Sequence, residues 1–304
     1  MKQRQALGHP LVSSGAFGGA SLQPAQTSSS APQPVDRRTF LLEIGVEELP
    51  AEDLDLAVEQ LRTALPGALA GARLPHGEIR VEGTPRRVAV LVRDVAPMQA
   101  DEERVIKGPP AKAAYDASGQ PTKAALGFAR GNNVPVESLQ VRDFEGREYV
   151  VAVQVVHGQP APDVLGQLAT SLLERLRFPR SMRWNDTGIS FSRPIRWLVG
   201  LLGDTVVPFT YAGVASGRTS RGIRPDESPA IEIPAAEAYE ETMLRQHAML
   251  SVAERQAAVL EQGRLLAAEA GGEMADDPAL LSAVANMVEW PTVVRGGFAP
   301  EYLH

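Results

Sequence analysis

The chain has 304 residues and a formal net charge of −7, with 44% hydrophobic and 22% charged residues. Such a length accommodates about two domains with a substantial core, and the composition is that of a globular protein. The absence of cysteine excludes disulfides and thiolate chemistry, and no apolar run approaches the ~20 residues of a membrane-spanning helix.

The first part of the chain is rich in serine, proline and glycine, as in the run from Ser28 to Pro34. A segment of this composition cannot bury enough apolar surface to offset the entropy lost on ordering. We therefore predict a disordered extension over residues 1–37.

From residue 38 onward the hydrophobic pattern alternates between the periods of strands and helices. Predicted strands cover residues 39–46, 79–81, 88–92, 104–106, 149–156, 197–202 and 206–211, and predicted helices cover residues 51–72, 122–131 and 161–176. The fold class expected is α+β, with a mixed or antiparallel sheet and packed helices over residues 38–233.

The character of the chain changes after residue 233. Three helices are predicted over residues 237–247, 252–270 and 279–290, and residues 292–294 are predicted to return to the sheet. Acidic residues outnumber arginines in this mainly helical segment, residues 234–304. Because its surface should repel nucleic acid, we expect packing or partner contacts there.

Two basic positions lie where a predicted turn or loop meets a strand. Arg86 and Arg87 follow the turn at residues 83–85, and adjacent side chains of a strand point to opposite faces, so at most one can readily face a given ligand. A solvated strand end is the interpretation we favour over a phosphate contact. Lys107 begins a predicted loop, which lacks the spacing of a phosphate-binding P-loop.

Residues 178–204 join an arginine cluster to the most apolar strand of the chain. Arg180, Arg183, Arg193 and Arg196 lie among aromatic residues, and residues 178–224 carry a local charge of +5. Guanidinium groups suit phosphates, and aromatic rings can stack on bases, so a polyanion-binding surface is one interpretation. The other is that these arginines pair with carboxylates at a sheet edge while the tryptophans lie in the core.

Arg218, Arg221 and Arg224 are spaced three apart among glycine and hydroxyl residues. Such a segment can cradle a phosphate, but a flexible loop is the structure we favour. Glu43, Glu47 and other acids near Pro50 are interpreted as charges at the start of a helix. The five histidines are isolated and no nucleophile has a matched base, so we expect neither a metal site nor a catalytic constellation.

Seven strings resemble, in order, the N-terminal part of the β subunit of the bacterial two-subunit glycine–tRNA ligase. They are LLEIGVEELP, GTPRRVAVLV, IKGPP with the following YDASGQPTKAALGFARG, RSMRW, FSRPIRWLVGLLGD, SGRTSRGIRP and MVEWPTVV. The resemblance covers residues 40–304. One departure is Arg221-Gly222-Ile223-Arg224, where the family pattern usually reads RGHR, so this chain has isoleucine in place of the histidine of that motif.

The resemblance implies a subunit of a cytoplasmic aminoacyl-tRNA synthetase that works as an α2β2 heterotetramer. In this family the α subunit carries the catalytic site and uses ATP and Mg²⁺ to attach glycine, while the β subunit mainly recognises tRNA(Gly). The family's HD-type and anticodon-binding domains lie beyond the residues present here, so this chain should hold no cofactor and should not aminoacylate alone. Similarity to domains of the phenylalanine–tRNA ligase β subunit supports an α+β architecture.

Two functional hypotheses follow from the residues and the resemblance together. The first is a module for tRNA recognition and assembly with the α subunit. Its candidate RNA contacts are Arg183, Arg193, Arg196, Arg221 and Arg224, with Arg86, Arg87 and Lys107 as a second group. The alternative is a docking module that contacts the α subunit or the rest of the β subunit, with no direct RNA binding.

Overall fold

The computed structural model describes residues 36–275, 277–299 and 301, so the predicted extension lies outside the described residues apart from positions 36 and 37. The strands are β1 (Arg38–Val46), β2 (Ile79–Thr84), β3 (Arg87–Val95), β4 (Glu102–Pro110), β5 (Gln140–Phe144), β6 (Arg147–Val156), β7 (Ile195–Leu202), β8 (Thr205–Val206), β9 (Thr210–Tyr211), β10 (Val214–Gly217), β11 (Thr219–Arg221) and β12 (Ala230–Glu232). The helices are α1 (Ala51–Gly71), α2 (Ala111–Ala114), α3 (Lys123–Gly131), α4 (Ala161–Arg175), α5 (Tyr239–Arg245), α6 (Val252–Glu269) and α7 (Pro278–Ala285). This arrangement confirms the predicted α+β class.

The main sheet has the strand order β2-β3-β1-β7-β10-β9, with β8 also paired to β7. Its pairings are antiparallel except for the parallel pair β7–β10. In the central strand β1, Phe40, Leu42 and Ile44 point to one face while Leu41 and Glu43 point to the other, as the two-residue period of a strand requires. Both faces of the sheet are therefore buried.

Each face of the main sheet carries its own core. Helices α1 and α4 cover the first face, and Leu54, Leu61 and Leu65 of α1 are almost fully buried there. A fully buried leucine stabilises the fold by about 2 kcal/mol. Because these leucines recur at the helical period, they lie on one face of α1, and their burial fixes which face of the helix packs on the sheet. On the second face, Tyr239 and Met243 of α5 pack together with the β12 side of the β11–β12 hairpin.

A smaller antiparallel sheet, in the order β4-β6-β5, is inserted between β3 and α4. Its core lies between β6 and the helices α2 and α3, and includes Ala114, Ala125 and Val150. The loop predicted from Lys107 onward is wrong, because β4 continues to Pro110. Since β4 is an edge strand, its prolines remove no hydrogen bond that a second neighbour would need.

Several other sequence predictions need correction. The strand predicted over residues 206–211 divides into β8 and β9, with Pro208, which has no N–H to donate, between them. A flexible loop was favoured over residues 216–224, but residues 216–217 belong to β10 and residues 219–221 form β11. Helix α7 ends at Ala285, five residues early, and residues 292–294 form no strand, since the Val293 N–H donates to the side chain of Gln262 at 3.0 Å.

Among the described residues, no helix is long and apolar enough to cross a membrane.

Gly45 creates a gap in the second face of the sheet, between β3 and β7. It lies opposite Arg87 on one side and Trp197 on the other. The indole ring of Trp197 lies over this gap, so a Cβ atom at position 45 would stand 1.9 Å from its Cε2 atom. Glycine is therefore required here by close packing, since any side chain would displace the indole.

We predict that Gly45→Ala destabilises the protein by about 1–3 kcal/mol, because the added methyl group overpacks the site. The measurement is the free energy of unfolding in urea. Gly67→Ala is the matched control, since nothing lies within 4 Å of its Cβ position on α1. This control should be neutral or stabilising by up to about 1 kcal/mol. Equal stabilities for Gly45→Ala and the wild type would contradict the packing described.

Candidate anion-binding site

A buried charge network lies on the second face of the sheet, around the fully buried guanidinium of Arg87. Arg87 donates from Nε to Glu289 Oε1 at 3.1 Å, and its Nη1 lies 3.4 Å from Glu43 Oε1. Glu43 Oε1 also accepts hydrogen bonds from Ser220 Oγ and from Trp197 Nε1, each at 2.7 Å. The network therefore joins β1, β3, β7, β11 and the segment that follows α7.

The charges of this network stabilise one another. Burial opposes a charge on Arg87, yet the carboxylates of Glu43 and Glu289 outweigh it and raise the pKa of that side chain. Burial and the neighbouring Glu43 carboxylate raise the pKa of Tyr239 well above its usual value, so its hydroxyl stays protonated. The Arg87 guanidinium therefore stays charged although it is buried.

Arg86 is also buried, with 7% exposure, so the expectation of a solvated strand end was wrong. It donates to the Gly222 carbonyl and to Ser228 Oγ, both at 2.9 Å, and lies 3.8 Å from a Glu289 oxygen. Its guanidinium carbon is 5.6 Å from the centre of the Trp197 ring. Burial lowers the pKa of Arg86, which Glu289 partly offsets.

A pocket of about 310 Å³ opens above Arg86 and Trp197. It is formed by the end of β1, the β2–β3 turn, the start of β7, β11 and the turn after it. Its lining residues are Glu47, Arg86, Arg196, Trp197, Arg221, Arg224, Glu227 and Ser228. Four guanidinium groups and two carboxylates thus surround one cavity, which we call the arginine pocket.

Two of the pocket arginines pair with carboxylates at its rim. Arg224 contacts both Glu47 and Glu48, the latter at 2.8 Å, and Arg196 Nε lies 3.3 Å from Glu47. The side chains of Arg196 and Arg224 nevertheless remain 60% and 51% exposed. Exposed pairs of this kind are worth at most about 1 kcal/mol, so an incoming phosphate can compete for these guanidinium groups.

Arg221 differs from its neighbours in the pocket. It lies exposed at the end of β11 and pairs with no carboxylate in the part of the chain that the structure describes. The wall beside it contains Glu227 and Ser228, both with positive φ angles, of 60° and 53°. Two consecutive non-glycine residues with left-handed backbone angles are uncommon, and such conformations concentrate at functional sites.

The structure brings together half of the predicted contact residues. Arg86, Arg196, Arg221 and Arg224 line the pocket, whereas Arg87 lies beneath it in the core. An RNA contact from Arg87 would require the core to open. The contact of the others with RNA stays a prediction.

The remaining candidates lie elsewhere in the described chain. Arg183 donates to the Gly188 carbonyl at 3.1 Å, and Arg193 to its neighbour's carbonyl at 2.9 Å, so neither lines the pocket. Lys107 belongs to the inserted sheet, where its ammonium lies 3.7 Å from the Tyr149 ring centre and 4.8 Å from that of Phe144.

Within the arginine cluster, Arg196 pairs with a carboxylate, Glu47, as the second interpretation expected. Polyanion binding by the cluster stays a prediction. Trp197 is core, at 8% exposure, and Trp184 is half-buried. The acids attributed to a helix start are instead partners of arginine: Glu43 lies on β1, and Glu47 reaches Arg196. The contact between Glu47 and Arg196 depends on the antiparallel pairing of β1 with β7, which the sequence does not show.

The chemistry available in the pocket is the recognition of anions. The planar guanidinium group presents a fork of donors that matches phosphate and carboxylate. No three acidic or histidine side chains within the described ranges are placed to hold a metal ion. The fold and the site thus define an α+β protein with a candidate site for a negatively charged ligand.

Comparisons with known proteins identify the family. A protein-family model described as glycyl-tRNA synthetase beta subunit matches residues 40–304. The glycine–tRNA ligase beta subunit of Desulfitobacterium hafniense (strain DSM 10664 / DCB-2) is 43% identical over 268 residues, 88% of this chain and 39% of that protein. The corresponding subunit of Bacillus subtilis is 39% identical over 270 residues, with the same shares covered.

A plant protein, the chloroplastic/mitochondrial glycine–tRNA ligase 2 of Arabidopsis thaliana, is 40% identical over 301 residues, 99% of this chain and 28% of the plant protein. The chain belongs to the family of glycyl-tRNA synthetase β subunits. It spans about two fifths of the length of the bacterial relatives named above. The matched part corresponds to their N-terminal region, as the sequence resemblance implied.

We predict that Glu289→Gln destabilises the protein by about 3 kcal/mol, because it leaves the buried Arg87 with half of its compensating charge. The measurement is the free energy of unfolding at neutral pH. Glu241→Gln is the control: its carboxylate pairs with Arg245 at an exposed site on α5 and should matter by less than about 0.5 kcal/mol. Similar small effects for both variants would contradict the role given to the buried network.

Proposed function

We propose that this chain contributes a tRNA-contacting surface to glycine–tRNA ligase, as the N-terminal part of its β subunit. The observation that carries the proposal is the arginine pocket, in which Arg196, Arg221 and Arg224 stay exposed in a chain of net negative charge. RNA is the polyanion that a subunit of this family meets. Phosphate groups can exchange with the rim carboxylates as partners of these arginines.

In this proposal the chemistry takes place elsewhere in the complex. Glycine, ATP and Mg²⁺ are handled by the α subunit in the bacterial cytoplasm, in an α2β2 assembly. This chain orients tRNA(Gly), and no cofactor of its own is needed. Family membership supports this division, since the matched relatives are β subunits.

A specific observation also favours a docking role for the last described segment. Val294 and Phe298 expose 80% and 71% of their surface. Large apolar side chains clustered along one segment are typical of protein contacts. We therefore propose assembly with the α subunit as the second contribution of this chain.

For tRNA contact, we predict that Arg221→Gln weakens the binding of tRNA(Gly) and makes its salt dependence shallower. One phosphate contact changes the slope of log affinity against log salt by roughly 0.7–0.9. The measurement is the fluorescence anisotropy of labelled tRNA(Gly) titrated with the chain at several salt concentrations. Because Arg221 has no carboxylate partner in the described chain, its replacement should not disturb folding.

Arg175→Gln provides the matched control for this experiment. Arg175 is exposed in the last turn of α4, on the opposite face of the sheet, and should leave the salt slope unchanged. A wild-type chain without measurable affinity for tRNA at low salt would contradict the proposal. So would identical slopes for the wild type and Arg221→Gln.

For assembly, we predict that the double variant Val294→Ser, Phe298→Ser binds the α subunit at least about tenfold more weakly, since exposed apolar side chains lose their buried contacts. Calorimetric titration with the α subunit of the same organism measures the affinity. Val155→Ser is the control, because Val155 is 52% exposed on the inserted sheet. Equal affinities for the double variant and the wild type would exclude this segment from the interface.

A further inference from the structure

A second pocket adjoins the arginine pocket and differs from it in chemistry. Its volume is about 240 Å³, and Arg86 and Arg224 belong to the walls of both. The rest of its lining is mainly apolar and includes Pro85, Ile223, Met287 and Trp290, beside the carboxylates of Glu48 and Glu289. Arg86 and Arg224 therefore separate a pocket lined by guanidinium groups from a pocket that contains the indole ring of Trp290.

We propose that the two pockets together bind one ribonucleotide unit, with its phosphate in the arginine pocket and its base against Trp290. This inference rests on the proposed contact with RNA and specifies the form in which RNA is recognised. The ligand class is a ribonucleoside monophosphate, either free or as a nucleotide unstacked from an RNA chain.

The arginine side of the site suits the phosphate. Arg221 is exposed without a carboxylate partner in the described chain, and Arg224 is 51% exposed at the boundary of the two pockets. Arg86 is nine-tenths buried there, and its Nε has no hydrogen-bond partner among the described residues. A phosphate oxygen bound beside these groups supplies the acceptors that a guanidinium fork requires.

The aromatic side of the site suits a base. Trp290 is 41% exposed, and the His247 ring supports it with 5.0 Å between ring centres. Met287, whose flexible thioether adapts to irregular apolar surfaces, lies exposed in the same pocket. Base stacking on an aromatic ring accepts any base, so this site distinguishes a nucleotide from a bare phosphate without reading sequence.

The shape of the site favours one nucleotide over the backbone of a duplex. A cavity of a few hundred Å³ encloses a small molecule or a single nucleotide, whereas the bases of a duplex are stacked within the helix and expose only their edges in the grooves. Unstacked bases in single-stranded loops and ends are the RNA elements that aromatic side chains can stack upon.

The test is a calorimetric titration of the whole 304-residue chain with AMP, CMP, ribose 5-phosphate and inorganic phosphate. We expect both nucleotides to bind at least about tenfold more tightly than ribose 5-phosphate, because stacking contributes to their affinity alone. Trp290→Leu keeps an apolar side chain beside His247 but removes the flat ring, so it should abolish that difference. Arg221→Gln should lower the affinity of the chain for nucleotides and for ribose 5-phosphate by the same factor.

Trp184→Leu is the control, since Trp184 is half-buried against the first core and lines neither pocket. Its affinity for nucleotides should equal that of the wild type. Competition with tRNA(Gly) identifies the source of the nucleotide. Displacement of bound AMP by tRNA supports an unstacked RNA nucleotide as the ligand, and nucleotide binding without displacement supports a free nucleotide.

Failure of this inference is distinguishable from failure of the proposed function. If tRNA binds with the predicted salt dependence while neither nucleotide binds better than ribose 5-phosphate, the single-nucleotide site is overturned and RNA contact stands. Unchanged nucleotide affinity in Trp290→Leu also overturns it. If neither tRNA nor nucleotides bind, both proposals are overturned together.

Discussion

The interaction on which the rest of this structure depends is the pairing of the buried Arg87 with Glu43 and Glu289. A guanidinium at 0% exposure is tolerated only beside compensating carboxylates. Glu43 comes from the central strand of the sheet, and Glu289 lies 202 residues after Arg87 in the chain. Sheet, hairpin and C-terminal segment must therefore assemble around the same charge.

The same constraint fixes the arginine pocket. Arg86 is covalently next to the buried Arg87, and each guanidinium carbon lies 5.6 Å from the ring centre of Trp197. The floor of the pocket is thereby part of the core, whereas Arg196 and Arg221 at the rim stay exposed. A buried floor with exposed donors above it allows a ligand to be held without rearrangement of the fold.

The sequence predicted the elements better than the site. The apolar composition of residues 39–46 and 197–202 was sufficient for β1 and β7, because a strand buried on both faces reads as a continuous apolar run. Strand pairing across 150 residues leaves no local signal, so Glu47 could not be matched to Arg196, or Glu48 to Arg224, in advance. The pairing of β11 with β12 was hidden for a further reason: exposed arginine and threonine flank the buried Ser220, which resembles a loop.

The most direct test of RNA contact at the arginine pocket is an experimental structure of this chain bound to tRNA(Gly). It measures the distances between RNA phosphate oxygens and the guanidinium nitrogens of Arg196, Arg221 and Arg224. We predict at least one such contact from Arg221 at about 2.7–3.2 Å, with the RNA entering the arginine pocket. Binding of the RNA to another face, with all three arginines paired only to protein carboxylates, would contradict it.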